Sequence, residues 1–214
     1  LICLMALVSF SATAQTFTAM RGIAQVLSYR APMVPLDSAH LDARFSSFTP
    51  SYLIFPNQAV DAAGAAALVA QLGINKQDFA SSVSVFNPAG KAYDAKVDVE
   101  VYKALIDSMR VISNLKVIGI GNGATFVNQH IAPIAGEIAG IVSIDGKAGK
   151  VLKTGSVPVP AFIVGKGAAN VAKPYIAANQ ATRTGKDAHM QIYTNAAEPL
   201  QRVVISEANG QTLE

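Results

Sequence analysis

The 214 residues include no tryptophan and one cysteine, Cys3. A single thiol cannot close an internal disulfide or fill the ligand set of a zinc finger. The missing tryptophan and an aromatic content of 7% argue against a dedicated sugar-stacking surface, so Tyr102, Tyr175 and Tyr193 are expected to pack. Charge is scarce as well: 14% of residues are charged, the net charge is +3, and the lysines and arginines are scattered. That distribution excludes a basic stripe of the kind that follows nucleic acid. What abounds is apolar surface, 51% of residues, enough for one globular domain with a sizeable core and too much for a solvated disordered chain.

The apolar excess starts at the first residue. LICLMALVSFSATAQ, Leu1 to Gln15, is an apolar run closed by the small-residue pattern Ala12-Thr13-Ala14, the form of a secretory h-region and its cleavage site. It is too short to span a bilayer. The expectation is a signal peptide over 1–14, clipped at its start, and a periplasmic or secreted chain with no membrane attachment after its removal. Cys3 lies inside that signal, so the mature chain carries no thiol. Residues 15–50 mix turn formers with short apolar patches and predict an entry segment with one edge strand. The main domain is expected over 51–214, with its C-terminus left open.

From Ser51 onward the periods alternate. SYLIFP reads as a strand, QAVDAAGAAALVAQLGINK as a helix stopped by Gly73, SSVSVFNP as a strand, and VDVEVYKALIDSMR as a helix with Val101, Leu105 and Met109 on one face. Strand LKVIGIG, helix ATFVNQHIAPIAG, strands IAGIVSID and PAFIVG, helix AKPYIAANQAT, and strands HMQIYT and RVVISE follow. Continuous apolar strands alternating with helices predict an α/β protein of three layers around a mostly parallel sheet.

In such sheets function collects at the carboxyl ends of the strands, which directs attention to KVIGIGNGATFVNQ, Lys116 to Gln129. Two motifs fit its turn. Gly119, Gly121 and Ala124 satisfy the dinucleotide pattern G-x-G-x-x-G/A, with Asp145 closing the next strand as a ribose ligand; NAD or NADP would then be the ligand. At least two βα units precede the turn, however, where a dinucleotide unit usually opens its domain. Gly119 and Gly123 equally occupy the flanks of a nucleophile elbow, G-x-S-x-G, with Gly121 in the place of the serine.

The segment DVEVYKALIDSMRVISNLKVIGIGNGATFVNQHIAPIAGEIAGIVSIDG, Asp98 to Gly146, resembles the corresponding region of secreted α/β-hydrolases of the polyhydroxybutyrate depolymerase and feruloyl esterase group. VPVPAFIVGKGAANVAKPYI, Val157 to Ile176, resembles that family's P-x-L-I-x-H-G-x-x-D-x-x-V-P-Y stretch. The resemblance implies an α/β-hydrolase fold, ester hydrolysis, a small ester-bearing ligand and no cofactor. Matched position by position, the family's serine falls on Gly121, its acid on Asn170 or, with the loop shifted by one, Ala169, and its histidine on Gln211 or beyond Glu214. The family's His-Gly after the first core strand is replaced by Phe55-Pro56, and proline has no N–H to donate. The implied protein has a degenerate triad and a binding or scaffold role, with Gly121, Asn122 and Asn57 as ligand-binding residues. An active esterase with displaced residues is the alternative. A serine at 121 is expected to be accommodated without unfolding.

The remaining candidates are weaker. His40, His130 and His189 have no second ligand at metal spacing and read as packing or surface residues. Glu137 reads as a solvated loop residue. Thr125 offers a hydroxyl one turn past the apex, without a base. GKGAAN, Gly165 to Asn170, lacks the G-K-[ST] ending of a phosphate loop and reads as a flexible strand-end loop.

Overall fold

The computed structural model describes residues 51–74, 82–108, 115–136, 138–149, 152, 159–186 and 189–207, together with the backbone of 19–21 and 24–30. The predicted signal, His40, Met109, Glu137 and Gln211 lie outside these residues. Among the described residues ten strands form one sheet: β1 (Ala19–Arg21), β2 (Ala24–Arg30), β3 (Ser51–Phe55), β4 (Ser82–Phe86), β5 (Leu115–Ile120), β6 (Ile138–Ile144), β7 (Ala161–Val164), β8 (Thr182–Lys186), β9 (Met190–Thr194) and β10 (Val203–Ser206). Their spatial order is β1-β2-β4-β3-β5-β6-β7-β10-β9-β8. The six strands from β4 to β10 in that order pair in parallel, and antiparallel strands flank them on both sides.

Period-two alternation sends each central strand's side chains into two separate cores. Leu53, Phe55, Leu115, Val117, Ile141, Ile163 and Ile205 enter one, against Val101 and Tyr102 of α2 (Val97–Ser108), Phe126 of α3 (Asn122–Phe126) and Val171 and Tyr175 of α4 (Ala168–Ala178). Tyr52, Ile54, Val83, Val85, Ile118, Ile120 and Ile144 enter the other, against Ala65 and Val69 of α1 (Ala62–Gln71). The predicted three layers are therefore present, with helices on both faces. No helix among the described residues is long and apolar enough to cross a membrane.

Local chemistry explains most of the boundaries. Asp61 caps α1 by accepting the Gly64 N–H at 2.8 Å, and the chain leaves that helix through Gly73 at φ 69°. Asp94 accepts the N–H groups of Lys96 and Val97, both at 2.8 Å, ahead of α2, and these bonds hold its carboxyl below the usual range. Asp98 is fully buried and accepts the N–H groups of Ala89 and Asp94, which ties the β4–α2 loop to the helix start.

Four expectations need correction. The entry segment supplies two strands, β1 and β2, and β2 pairs antiparallel with β4. GKGAAN is no flexible loop beyond its first three residues: Gly167 at φ 77° starts α4, which runs from Ala168. That helix ends at Ala178, and Thr182 begins β8, a polar, mostly exposed edge strand without an apolar period to announce it. The helix predicted over ATFVNQHIAPIAG is also divided, passing from α3 into a wide π turn over Val127–Ile131 and a 3-10 turn over Ala132–Ile134. Pro133 accounts for the break, having no N–H and crowding the carbonyl of Gln129 one turn back.

Candidate functional site

Strand register brings the carboxyl ends together. Ile120, Ile144, Val164 and Ser206 pair in turn across β5, β6, β7 and β10. One residue farther on, the Gly121 N–H donates to Ile144 O at 2.8 Å, Asp145 N–H to Val164 O at 2.9 Å, and Gly165 N–H to Ser206 O at 3.1 Å. Gly121, Asp145 and Gly165 thus stand side by side along one edge of the sheet.

Gly121 turns the chain from strand to helix with φ 55° and ψ −114°, a conformation rare for any residue with a side chain. Its carbonyl accepts both the N–H and the hydroxyl of Thr125, at 3.0 and 3.1 Å. The flanking glycines are required by contact. A Cβ on Gly119 would lie 2.5 Å from Ala124 Cα, and one on Gly123 2.5 Å from the Phe55 carbonyl carbon. Such closeness of α3 to β3 and β5 is the geometry of a nucleophile elbow.

Above the apex lies Asn57. Its Oδ1 accepts the Asn122 N–H at 3.0 Å, and its backbone carbonyl accepts the Asn122 amide at 3.4 Å. A Cβ on Gly121 would fall on the Asn57 amide oxygen and 2.8 Å from its Cγ. A serine at 121 would therefore have to displace the Asn57 side chain. The same side chain fills the approach that a pyrophosphate would need in the dinucleotide reading.

The loop carrying Asn57 is fastened on both sides. Tyr93 donates its hydroxyl to Pro56 O at 2.9 Å and lies 3.1 Å from Phe86 O; burial, then the Asp98 charge, push its pKa far up, so it remains a donor. The Asn87 carboxamide accepts the Val60 N–H and donates to the Val60 carbonyl. Below, Phe55 stacks on Phe86 at 4.9 Å and Tyr93 on Phe126 at 4.8 Å. His130 packs on Phe126 at 5.4 Å, in keeping with a packing histidine. Tyr102 and Tyr175 are likewise buried, and Tyr193 packs against the core.

Asn170, the position matched to the family's acid, is exposed in the first turn of α4, and Ala169 precedes it there. Asp145 is exposed at φ 53°, with its carboxylate against Gly165. Ala124 is buried under Gly119 and Gly146. Among the described residues no three His, Cys, Asp or Glu side chains gather around a metal-sized site. An apolar groove of about 240 Å³, bordered by Lys116, Ile118, Val142, Phe162 and Arg202, lies toward the amino ends of the strands, away from the elbow.

Thr125 is spoken for. Besides donating to Gly121 O, its Oγ1 accepts the Lys147 N–H at 3.0 Å, so the hydroxyl fastens the β6 loop to the elbow helix. Thr125→Val should cost about 1 kcal/mol in urea denaturation, the worth of such bonds; an unchanged midpoint would show that neither bond matters.

Sequence reading missed Tyr93 and Asn128. Asn128 is buried and bonded to Ser143 and Tyr175 behind the elbow. Its signal was available: an asparagine in the apolar stretch between Phe126 and Ile131 needs buried partners. Tyr93, in an aperiodic loop, gave none.

No protein-family model and no curated protein matches the chain. Among solved structures it is similar to an acetyl xylan esterase from Aspergillus awamori, at 9% identity and TM-score 0.56, over 88% of this chain and 89% of that one. Est1E from Butyrivibrio proteoclasticus matches at 10% identity and TM-score 0.47, over 71% of this chain and 81% of that one. A phospholipase/carboxylesterase from Dyadobacter fermentans matches at 12% and 0.46, over 66% and 71%. Identities this low speak for fold, and with the strand order and elbow above, the chain has the α/β-hydrolase fold.

Proposed function

We propose that this is an exported α/β-hydrolase-fold protein that holds a small ester- or carbonyl-bearing ligand over the elbow without cleaving it. One observation carries the reading: the apex is a glycine, and an amide side chain occupies the space above it. Acyl transfer needs an activated hydroxyl or thiol at that point. Thr125, the nearest hydroxyl in sequence, is engaged on both sides, and the matched acid position holds an amide. In a serine hydrolase, loss of the nucleophile alone removes roughly a millionfold in kcat.

The same geometry supports binding. Asn57 is exposed, and its Nδ2 has no partner among the described residues, so it can donate to a ligand carbonyl. Asn122 is exposed beside it. The family's esters are the ligand class that the resemblance implies.

The test uses the full chain with short-acyl nitrophenyl esters and feruloyl esters. The expected result is no turnover above buffer, with a rise in Tm as uncleaved ester binds. Turnover that disappears on changing one serine or threonine would establish the esterase instead. Gly121→Ser should likewise stay inactive, because no base and acid are supplied with it. An unchanged Tm up to roughly millimolar ester would remove the binding role.

A further inference from the structure

We propose that Asn57 and Gly121 act as one closure. The Asn57 side chain takes the position from which an elbow nucleophile would project, and it seals the backbone N–H of Asn122. Whether or not the cleft binds a ligand, this pairing has consequences of its own.

Sterics come first. A Cβ on Gly121 would meet three atoms of the Asn57 side chain, with Cγ at 2.8 Å and Cβ at 3.2 Å. The observed Asn57 conformation is therefore possible only over glycine. Hydrogen bonding supplies the second link, since Asn57 Oδ1 accepts the Asn122 N–H at 3.0 Å. In an elbow, the N–H of the residue after the apex is one of the two that polarise a substrate carbonyl. Here an internal carbonyl already holds it.

The third link is the anchorage of the loop. Tyr93 holds Pro56 on one side of Asn57 and Asn87 holds Val60 on the other, so the amide is delivered to the elbow by bonds independent of Asn122. A nucleophile therefore cannot return by one substitution at 121. The closure has to open as well, and a ligand that needs the Asn122 N–H must first displace Asn57.

Amide exchange followed by NMR on the full chain tests the seal. In Asn57→Ala, exchange of the Asn122 N–H should accelerate about tenfold while Val117 and Ile118 in β5 stay protected, the loss expected for one hydrogen bond. Asn57→Asp keeps an acceptor oxygen and should restore protection. Unchanged Asn122 exchange in Asn57→Ala would overturn the proposal.

A double-mutant cycle tests the steric link. Gly121→Ala should shift the unfolding equilibrium constant at least about fivefold less in Asn57→Ala than in the native background, while the positive-φ cost at 121 cancels between the two arms. Additive effects would overturn the pairing. Folding of the 121 variant only when Asn57 is truncated would support it. If it folds in neither background, the Asn122 exchange result alone decides.

Discussion

Gly123→Ala is expected to lose at least about 4 kcal/mol of stability, enough to leave the chain largely unfolded in mild denaturant. The added Cβ would fall on the Phe55 carbonyl, 2.5 Å from its carbon and 2.6 Å from Pro56 O. These are backbone atoms, and neither can step aside. β3 is hydrogen-bonded to β4 on one side and β5 on the other, and Tyr93 grips Pro56 O. The helix cannot retreat cheaply either, because its own Ala124 and Phe126 are buried and Gly119 meets Ala124 from the strand side. Gly90→Ala, where the nearest atom to a new Cβ is 4.0 Å away, serves as the control and should melt near the native temperature. Similar melting of both variants would mean that the elbow helix does not sit against β3.

Asn128→Ala should cost about 3 kcal/mol, more than a single hydrogen bond is worth. Asn128 is 2% exposed, and its side chain donates to Ser143 Oγ at 3.0 Å and Lys147 O at 2.9 Å and accepts the Tyr175 hydroxyl at 2.8 Å. Burial pushes the Tyr175 pKa up, so its hydroxyl stays a neutral donor. Truncating Asn128 strands that donor in the core and leaves a void against it. Tyr175→Phe alone should cost about 1 kcal/mol, whereas in the Asn128→Ala background the same change should be neutral or stabilising, since no hydroxyl is then left unpaired. Urea unfolding of the four chains reads this coupling directly. Additivity would show that the network contributes no more than its separate bonds.

Both effects concern the elbow's support, and the elbow explains how far sequence could be read. Its flanking glycines were legible because a strand running into a helix through so tight a turn leaves no room for a Cβ at 119 or 123. The three layers were legible too: side chains alternate along β3 and β5 between two buried cores, which writes continuous apolar runs into the chain. The hairpin edge at β8 was not, because an exposed polar strand carries no apolar period. Nor was the start of α4, which Gly167 sets through a left-handed turn inside what reads as a loop.

Asn57 marks the boundary most clearly. The sequence by itself determined an α/β chain with a nucleophile-type elbow whose apex lacks a side chain, since local periods and glycine spacing act over a few residues. Only tertiary structure decided what stands above that apex. Asn57 and Asn122 are 65 residues apart in the chain and meet because β3 and β5 pair in parallel, with Phe55 opposite Gly119. Strand order and register are sums over many long-range contacts, and no local window of sequence contains them.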